Sequence, residues 1–572
     1  MTNIRLAFCR LMPLFAVLLA PTDAWEASTS QNLSITVTPN APANAFYVAT
    51  SGSDSNPGTL ASPFKTLQKC QTAMQNSPTV KTCYIRGGTY TGSGVGWNAQ
   101  TTTSAGGWVV NEAVYLTSAD NGETFSYYPG DGYNTAIFDG GAGTWSAASG
   151  AASGCTQNAS PTTAMGRGFY LQSTTNVTID GLTFRNFCYG GIGLHADNTD
   201  WAQVCMPGTG ANSTGNIIRN NIIYNITDHS TQCGGDVVGY NRALHVNGNV
   251  ENTTISHNFV YNTTGGGVAV DNKTLNGNIS NLMLDHNLVV NTNLLYNDNG
   301  AIYIQDIGSN CNPTCQNAEV STNLRIQYNY VLGWGVYGNG AALGMNTQAY
   351  YNDDGTSNST RLGNIAVGHG AVCFFQHAGG NNITNGNMCD IGNVSAALGS
   401  GATVDAIGWL YVSSSQVPTF GSVTHQHDMV IANTPSCWFS GGTPTWCVLQ
   451  ENDANAPGGY YQIGNNNYWN YDTAGNSVLN NAATAQGDGS PNNVNPQFVQ
   501  CPSNGQDSWG YVIGNAPGTG VFASPVSFPA QPSGWATPGF WGPPVGPNWN
   551  GKIPHSLPPS FVATPPSYGP TC

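Results

Sequence analysis

A short pattern recurs through the middle of the chain: an Asn, two or three apolar residues, and then a polar turn. The intervals between copies vary from the low twenties to the low forties, which indicates a constant strand separated by loops of variable length. An Asn repeated at one position predicts a ladder of amides that bond from repeat to repeat. The copies are NNIIYN (220–225), HNFVYN (257–262), HNLVVN (286–291), YNYVLG (328–333), GNIAVG (363–368) and GNMCDI (386–391), with VTIDGLTFRN (177–186) as an earlier relative.

A second pattern falls between copies of the first and consists of a small residue, an apolar run and a polar group. Two alternating strand types predict one coil of a β-solenoid, because stacked coils bury the inner face that a single coil leaves exposed. A β-sandwich would instead show turns every ~8–12 residues. The copies are GGIGLHAD (190–197), RALHVNG (242–248), GGVAVDN (266–272), GAIYIQD (300–306) and GAVCFFQH (370–377).

The two ends of the chain differ from the repeats. The segment SPFKTLQKCQTAM (62–74) has a Pro near its start and helical spacing of apolar residues, which predicts a helix that caps the first coil. Beyond residue 500, prolines and aromatic residues crowd together and predict an ordered tail packed along the solenoid. The predicted segments are a signal peptide (1–24), a linker (25–45), the solenoid (46–500) and the tail (501–572).

The first residues predict secretion. Arg5 and Arg10 accompany an apolar stretch at 11–20, and small residues at 22–24 offer a cleavage site. The apolar stretch is too short to span a bilayer, and no later stretch qualifies. We therefore expect an extracellular protein without a membrane partner.

Cysteine usage fits the same compartment. The chain has 15 Cys, and an even fourteen remain once Cys9 leaves with the signal peptide. Close pairs predict local disulfides, and the lack of CxxC pairs argues against structural zinc. The pairs are Cys70/Cys83, Cys311/Cys315, Cys373/Cys389 and Cys437/Cys447. Sequons at Asn158, Asn225, Asn262, Asn272 and Asn382 would carry glycans in a eukaryotic secretory route.

Charge narrows the classes of partner. Only 8% of residues are charged, 14 of them basic, and the net charge is -15. A phosphate-neutralising patch cannot be assembled, so nucleic acid is excluded as a partner. The same scarcity argues against a polyanionic ligand unless a metal ion supplies positive charge.

The opening of the predicted solenoid resembles a known group. FYVATSGSDSNPGTLASPFKTLQK (46–69), followed by YIRGGTYTG (84–92), is similar to the start of secreted right-handed parallel β-helix proteins that act on polysaccharides, among them pectate-lyase-like proteins. NNVNPQFV (492–499) resembles the phrase that closes such helices. The resemblance implies an all-β, right-handed parallel β-helix over roughly 46–500. It does not define the activity, because this fold hosts lyases, hydrolases, epimerases and adhesins.

Two segments resemble the acid-bearing parts of β-helix glycosidases such as certain β-xylosidases and lacto-N-biosidases. They are NDNGAIY (297–303) and YYNDDGTSN (350–358), and the resemblance points to Asp298 and to Asp353 or Asp354. Aligning 303–310 with 350–358 predicts Asp306 over Asp353. Hydrolysis needs two carboxyl groups, ~5–5.5 Å apart in retaining enzymes and ~6.5–9.5 Å apart in inverting ones. Coils ~4.8 Å apart would place stacked acids near the retaining distance.

The same alignment places Asp271 one coil earlier and His377 one coil later. The leading hypothesis is a monomeric glycoside hydrolase without a cofactor, acting on a neutral or weakly charged polysaccharide. Its predicted catalytic residues are Asp298, Asp306, Asp353 and Asp354, and its predicted substrate-binding residues are Asp271, Tyr303, His369 and His377.

Two alternatives stay open. A polysaccharide lyase acting on uronates would take its base from Lys273, Arg242 or Arg325, and calcium could be held by Asp271 or the 353–354 pair. A non-catalytic adhesive β-helix is the third reading. His425 and His427 have a spacing that metals use, although a pair without metal is favoured.

Overall fold

The computed structural model describes much of the chain between residues 44 and 491. The predicted signal peptide and C-terminal tail lie outside the described residues. The gaps within this range are 92–99, 104–108, 133, 143–165, 196–211, 227–241, 273–278, 294–298, 307–320, 335–346, 354, 368–371, 378, 391–407, 412–420, 427, 433–438, 441–442, 445–448, 453–459 and 471–487.

Three long sheets run the length of the described chain, and from Thr124 onwards each complete coil contributes one strand to each sheet in the order A, B, C. Sheet A contains Phe46–Val48, Thr82–Ile85, Thr124–Tyr127, Thr178–Asp180, Ile217–Arg219, Thr254–Ser256, Met283–Asp285, Leu324–Gln327, Ser359–Leu362, Asn382–Asn385, Val423–Gln426 and Tyr461–Gly464. Sheet B contains Gly88–Thr91, Ala136–Asp139, Thr183–Phe187, Ile222–Ile226, Phe259–Thr263, Leu288–Thr292, Tyr330–Trp334, Ile365–Val367, Met388–Asp390, Met429–Ala432 and Asn467–Asn470.

Sheet C contains Gln100–Thr103, Val109–Leu116, Arg167–Gln172, Gly190–His195, Arg242–Asn247, Gly266–Asn272, Asn299–Asp306, Thr347–Asp353, Val372–His377, Gly408–Tyr411 and Leu449–Asn452. Pairing within the three sheets is parallel except between the first two strands of sheet C. Short extra strands are Ser213–Thr214, Val250–Glu251 and Ile279–Ser280 in one sheet, and Phe439–Ser440 with Thr443–Pro444 in another. The chain is a right-handed parallel β-helix, which confirms the predicted fold.

Each coil has three strands, and the sequence patterns revealed only two of them. The Asn pattern corresponds to sheet B and the small-residue pattern to sheet C. Sheet A was missed because several of its strands are only three residues long, such as Thr254–Ser256, and supply a single inward side chain, here Ile255. One apolar residue per strand leaves no alternation to detect.

The corner between sheets A and B repeats a two-residue turn, which explains why an Asn precedes the apolar residues in each copy of the Asn pattern. The first residue is in the left-handed region, as at His257 with φ 58°, and the second is the Asn. Asn258 donates from Nδ2 to Asn287 Oδ1 in the next coil (3.0 Å) and to Ile218 O in the previous one (3.0 Å). One side chain therefore ties three coils together. The ladder consists of Asn221, Asn258, Asn287, Asn329, Asn364 and Asn387, and is continued by Asp428, Asn466 and Asp488.

The capping helix spans Leu67–Gln75 and begins later than the predicted residue 62. Thr66 is its N-cap, and its side chain accepts a hydrogen bond from Lys69 N (3.1 Å). Asp54 holds this start in place, because its carboxylate accepts from the backbone of Lys65 and Thr66. Pro63 thus precedes the helix. A short 3₁₀ helix at Ser118–Asp120 packs beside it.

The interior changes character along the axis. Ile218, Ile255, Leu284 and Ile326 form one inward column of sheet A. The next three coils place Arg361, Thr384 and His425 in that column, all buried. Arg361 donates to Phe375 O (3.2 Å) and to Gln376 Oε1 (2.9 Å). Burial lowers the pKa of Arg361 to about 10, so a charged guanidinium lies inside the solenoid at neutral pH.

Two predicted disulfides, Cys70–Cys83 and Cys373–Cys389, are confirmed. The other two predicted pairs lie outside the described residues. Among the described residues, no helix has the length and apolar content needed to cross a membrane.

Two of the asparagines in the predicted glycan sites are enclosed in the fold. Asn262 and Asn382 are fully buried, and Asn382 Nδ2 donates to Thr356 O (2.6 Å). The nitrogen that would carry a sugar at Asn382 is therefore enclosed and already bonded. The side chains of Asn158 and Asn272 lie outside the described part of the chain, and Asn225 is partly buried.

Replacing one ladder residue tests the importance of the amide column. Asn329 donates to Leu284 O and Asn364 Oδ1, and its oxygen accepts from the backbone and the side chain of Asn287. We expect Asn329→Ala to lower the free energy of unfolding by about 3 kcal/mol or more, because it leaves several buried groups without partners. Denaturant unfolding measures this change. Gln462→Ala removes an exposed amide and should change stability by less than about 0.5 kcal/mol; equal effects would contradict the ladder's importance.

Glu123 gives a pH prediction. Its carboxylate is fully buried, and Lys81 Nζ lies 3.8 Å from its Oε1. Burial and the nearby charge of Asp120 raise the pKa of Glu123 from 4.5 to about 8, against the opposing effect of Lys81. The folded state therefore binds this proton more tightly than the unfolded state. Below the pKa of Glu123 in the unfolded state, the free energy of unfolding is not reduced by this group. As the pH rises from there to the pKa in the folded state, the free energy of unfolding falls.

Between about pH 5 and 8, we expect the free energy of unfolding of Glu123→Gln to fall by a few kcal/mol less than that of the wild type. Chemical denaturation at several pH values in that range measures it. Glu251→Gln, which alters a partly exposed carboxylate, is the matched control and should keep the wild-type slope. A Glu123→Gln protein with that same slope would contradict the predicted proton uptake.

Candidate functional site on the outer face of sheet C

Alternation along sheet C places a polar column on its outer face. Val268 and Val270 point into the core, and Ala269 and Asp271, which alternate with them, face outwards. The next coil repeats the arrangement with Tyr303 and Gln305. The alternation of side chains along each strand thus places the polar residues of the small-residue pattern on the outer face of sheet C.

The register of this column differs from the predicted one. Asp271 pairs with Gln305, and Gln305 pairs with Asp353. Asp306 pairs instead with Asn272, so the predicted stacking of Asp306 over Asp353 is wrong by one residue. Asp271 and Asp353 therefore share a column and lie two coils apart, with an amide between them.

Asp353 is enclosed by donors. Tyr303 Oη donates to its Oδ2 (2.7 Å), and His377 Nδ1 donates to its Oδ1 (2.8 Å). Burial alone would raise the pKa of Asp353, but the hydrogen bond and charge of His377, with the hydrogen bonds of Tyr303 and Tyr351, lower it below its usual value. The arrangement keeps Asp353 ionised at neutral pH.

Asp271 has a partner of its own one coil earlier. His245 Nε2 and Asp271 Oδ2 are 2.7 Å apart and share one hydrogen bond. Burial lowers the pKa of His245 below its usual value, and the charges of Arg242 and Arg167 act in the same direction, against the effect of Asp271. The His245 ring is therefore neutral at physiological pH. A single proton lies between this ring and the carboxyl group.

Tyr303 connects the two acids. The Arg242 guanidinium carbon lies 4.6 Å from the centroid of its ring, and Arg242 Nη1 also donates to Asn299 Oδ1. Burial raises the pKa of Tyr303 well above its usual value, and the charges of Asp353 and Asp271 add to the increase. Tyr303 therefore remains a hydrogen-bond donor. Both carboxylates lie close enough to influence this one hydroxyl.

An apolar strip runs beside the polar column. It consists of Ala269, Tyr303, Tyr351 and Phe375, which occupy one register position in four successive coils. The rings of Tyr351 and Phe375 have centroids 4.6 Å apart. All four side chains are buried, with Tyr303, Tyr351 and Phe375 only 4–5% exposed, so little of these ring faces is open to solvent.

Accessibility differs between the two acid pairs. The side chains of His377 and Asp353 are 17% and 9% exposed. Those of His245 and Asp271 are 4% and 0% exposed. Solvent therefore reaches the site from the His377 side, and the Asp271 pair lies deeper.

The structure brings together four of the eight predicted site residues: Asp271, Tyr303, Asp353 and His377. Asp298, Asp354 and His369 lie outside the described residues, and the side chain of Asp306 does too. Of the residues proposed for a lyase, Arg242 is at the site, Arg325 is exposed on sheet A, and Lys273 is outside the described part. His425 is buried inside the solenoid, and its predicted companion His427 is not described.

Sequence reasoning missed His245, Arg167 and Gln305 as members of the site. Within RALHVNG, the sequence analysis names only Arg242 as a candidate, for a lyase, although His245 is one of just 10 His in the chain. The scarcity of such residues was the available signal. Their partners are 26 or more residues away, and only the register reveals them.

Comparison with known proteins gives little beyond architecture. No protein-family model matches the chain, and no curated protein does either. Similar solved structures include a rhamnogalacturonan lyase (13% identity, 74% of this chain and 82% of that one, TM-score 0.33). Others are the surface adhesin PfbA of Streptococcus pneumoniae (12%, 71% and 76%, 0.38) and a GH136 lacto-N-biosidase from Eubacterium ramulus (12%, 71% and 67%, 0.36). The fold assignment rests on this chain's own strand pairing.

Proposed function

We propose that this protein is a secreted polysaccharide hydrolase whose two acids are Asp271 and Asp353. The observation that carries the proposal is their shared column, two coils apart on one face, each held by a His. With coils ~4.8 Å apart, the backbone positions of the two acids are separated by ~9.6 Å. That spacing is near the ~6.5–9.5 Å between the carboxyl groups of inverting glycosidases. It differs from the shorter retaining distance that the sequence predicts for acids on adjacent coils.

The two acids suit different roles. Asp353 is ionised, is reached by solvent, and acts as the base that takes a proton from water. The water oxygen bonds to the anomeric carbon as the glycosidic carbon–oxygen bond breaks. The leaving oxygen takes its proton from Asp271, which acts in its neutral acid form and is left as a carboxylate 2.7 Å from His245 Nε2. Inversion of the anomeric centre follows, because water attacks opposite the leaving group.

The charges on this face favour a neutral or weakly charged substrate. With Asp271 protonated as the acid, Arg167 and Arg242 face the single carboxylate of Asp353, and the one remaining positive charge is too little to bind a polyanion. We propose that the protein acts as a monomer outside the cell, and the disulfides among its described residues are in keeping with that location. Asp298, Asp306, Asp354 and His369 stay predicted contributors.

A lyase is the second candidate, and one observation favours it. Arg167 and Arg242 both act on the neutral His245. They would neutralise a uronate carboxylate while His245 removes the adjacent proton. A carbon–carbon double bond then forms as the glycosidic bond breaks, and the leaving oxygen takes a proton from water. Calcium binding by Asp271 or Asp353 stays a prediction of this alternative.

Substitution of the two acids tests the site. On a polysaccharide that the wild type cleaves, we expect Asp271→Asn and Asp353→Asn each to lower kcat by at least about 100-fold, because each removes a proton-transfer group. Asp139→Asn is the matched control, since Asp139 is paired with Arg185 on sheet B and should leave the rate unchanged. Full activity in both site variants would place the chemistry elsewhere, and no cleavage across a broad panel would favour the adhesive reading.

The product separates the mechanisms. We expect proton NMR of the first-formed product to show the anomer opposite to that of the substrate bond. Retention would contradict the two-coil pairing of acids. An unsaturated product absorbing in the near ultraviolet, without a new saturated non-reducing end, would identify the lyase instead.

A further inference from the structure

A second cluster of ligand-type side chains lies at the corner between sheets A and B. The left-handed position before the ladder Asn is Asn220, His257, His286 and Tyr328 in four successive coils. The rings of His257 and His286 are parallel, with centroids 5.2 Å apart and planes 2° apart. The turn geometry therefore directs two imidazoles to the same place, one coil apart.

Asp285 adds a carboxylate to the two rings. Its Oδ2 is 2.8 Å from His286 Nδ1, and its Oδ1 accepts from Gln327 Nε2 (3.1 Å), which orients the group. One ligand atom from each of His257, Asp285 and His286 lies within 4.8 Å of the others. Two nitrogens and one oxygen at this separation resemble the donor set of zinc-class ions.

We propose that His257, Asp285 and His286 bind one divalent late transition-metal ion, of which Zn²⁺ is the reference. Metal–ligand bonds of ~2.0–2.2 Å let two ligand atoms lie at most ~4.4 Å apart, so a small rotation of the rings closes the site. The remaining coordination positions are open to water, because His257 and Asp285 are only partly buried. The ion would join two successive coils at their corner.

The local electrostatics permit a cation. The Asp285 carboxylate lies 2.8 Å from His286 Nδ1 and places negative charge beside the two rings. The Arg219 guanidinium is paired with Asp180 (2.9 Å), which reduces its repulsion of an ion. Tyr328 stacks on the far side of His286, with ring centroids 5.2 Å apart, and supplies no strong ligand.

The cluster is separate from the proposed catalytic face. Its residues belong to strands and turns of sheets A and B, whereas Asp271 and Asp353 belong to sheet C. Metal binding and polysaccharide cleavage can therefore fail independently of each other.

Calorimetric titration of the chelator-treated full-length protein with ZnCl₂ tests the proposal. We expect saturation at one equivalent attributable to this site and a rise in Tm on zinc addition. His257→Asn and His286→Asn are the matched variants, because Asn220 already occupies the same left-handed position one coil earlier with φ 58°. Each should weaken zinc binding by at least about tenfold and abolish the rise in Tm. Asp285→Asn should weaken it as well.

Tyr328→Phe is the control that keeps the ring stack and should bind zinc like the wild type. Circular dichroism verifies that each variant is folded, and the two His variants provide independent measurements. Zinc binding that persists unchanged in both His variants, or a wild type that binds neither Zn²⁺, Ni²⁺ nor Cu²⁺, would overturn the proposal. In that case the His pair serves only to stack neighbouring coils.

Discussion

The amide ladder at the corner between sheets A and B is the interaction on which the rest of the structure depends. Each ladder Asn donates forwards and backwards along the axis, and the residue before it takes a left-handed conformation that bends the chain by one corner. Because the same turn recurs in coil after coil, every later strand starts at a defined height and rotation. The loops between sheets C and A can then vary in length without disturbing the columns of side chains. A functional surface on sheet C is thus set by a turn on the opposite side of the coil.

The repeat allowed the fold to be predicted from the sequence, whereas the site could be predicted only in part. The ladder and two strand types could be predicted because identical constraints act in each coil and leave the same letters. The register of sheet C could not, because Tyr350 and Tyr351 are adjacent and either can be aligned with Tyr303. The structure pairs Tyr303 with Tyr351. Since side chains alternate between faces, this slip of one residue replaced Gln305 with Asp306 in the predicted column.

The missing members of the site have a related explanation. His245 and Gln305 occur in strands that read as ordinary repeats, and nothing in either strand distinguishes a polar residue in the site from one that ends a strand. Their meaning comes from neighbours contributed by other coils, such as the 26 residues between His245 and Asp271. Stacking creates these neighbours, and variable loops hide them from any fixed sequence spacing. The same holds at the corner, where His257 and His286 fill positions otherwise held by Asn and Tyr.

The interior beneath the site gives the two proposed acids different surroundings. Behind Asp271, the inward residues of sheet C are aliphatic, as at Val270. Behind Asp353 they are amides, and Asn352 donates to Gln376, which in turn accepts from the buried guanidinium of Arg361. Hydrogen bonds from His377 and Tyr303 favour the ionised form of Asp353, while an apolar surrounding favours a neutral acid. Asp353 over the polar coils therefore suits the base, and Asp271 over the aliphatic coils suits the proton donor.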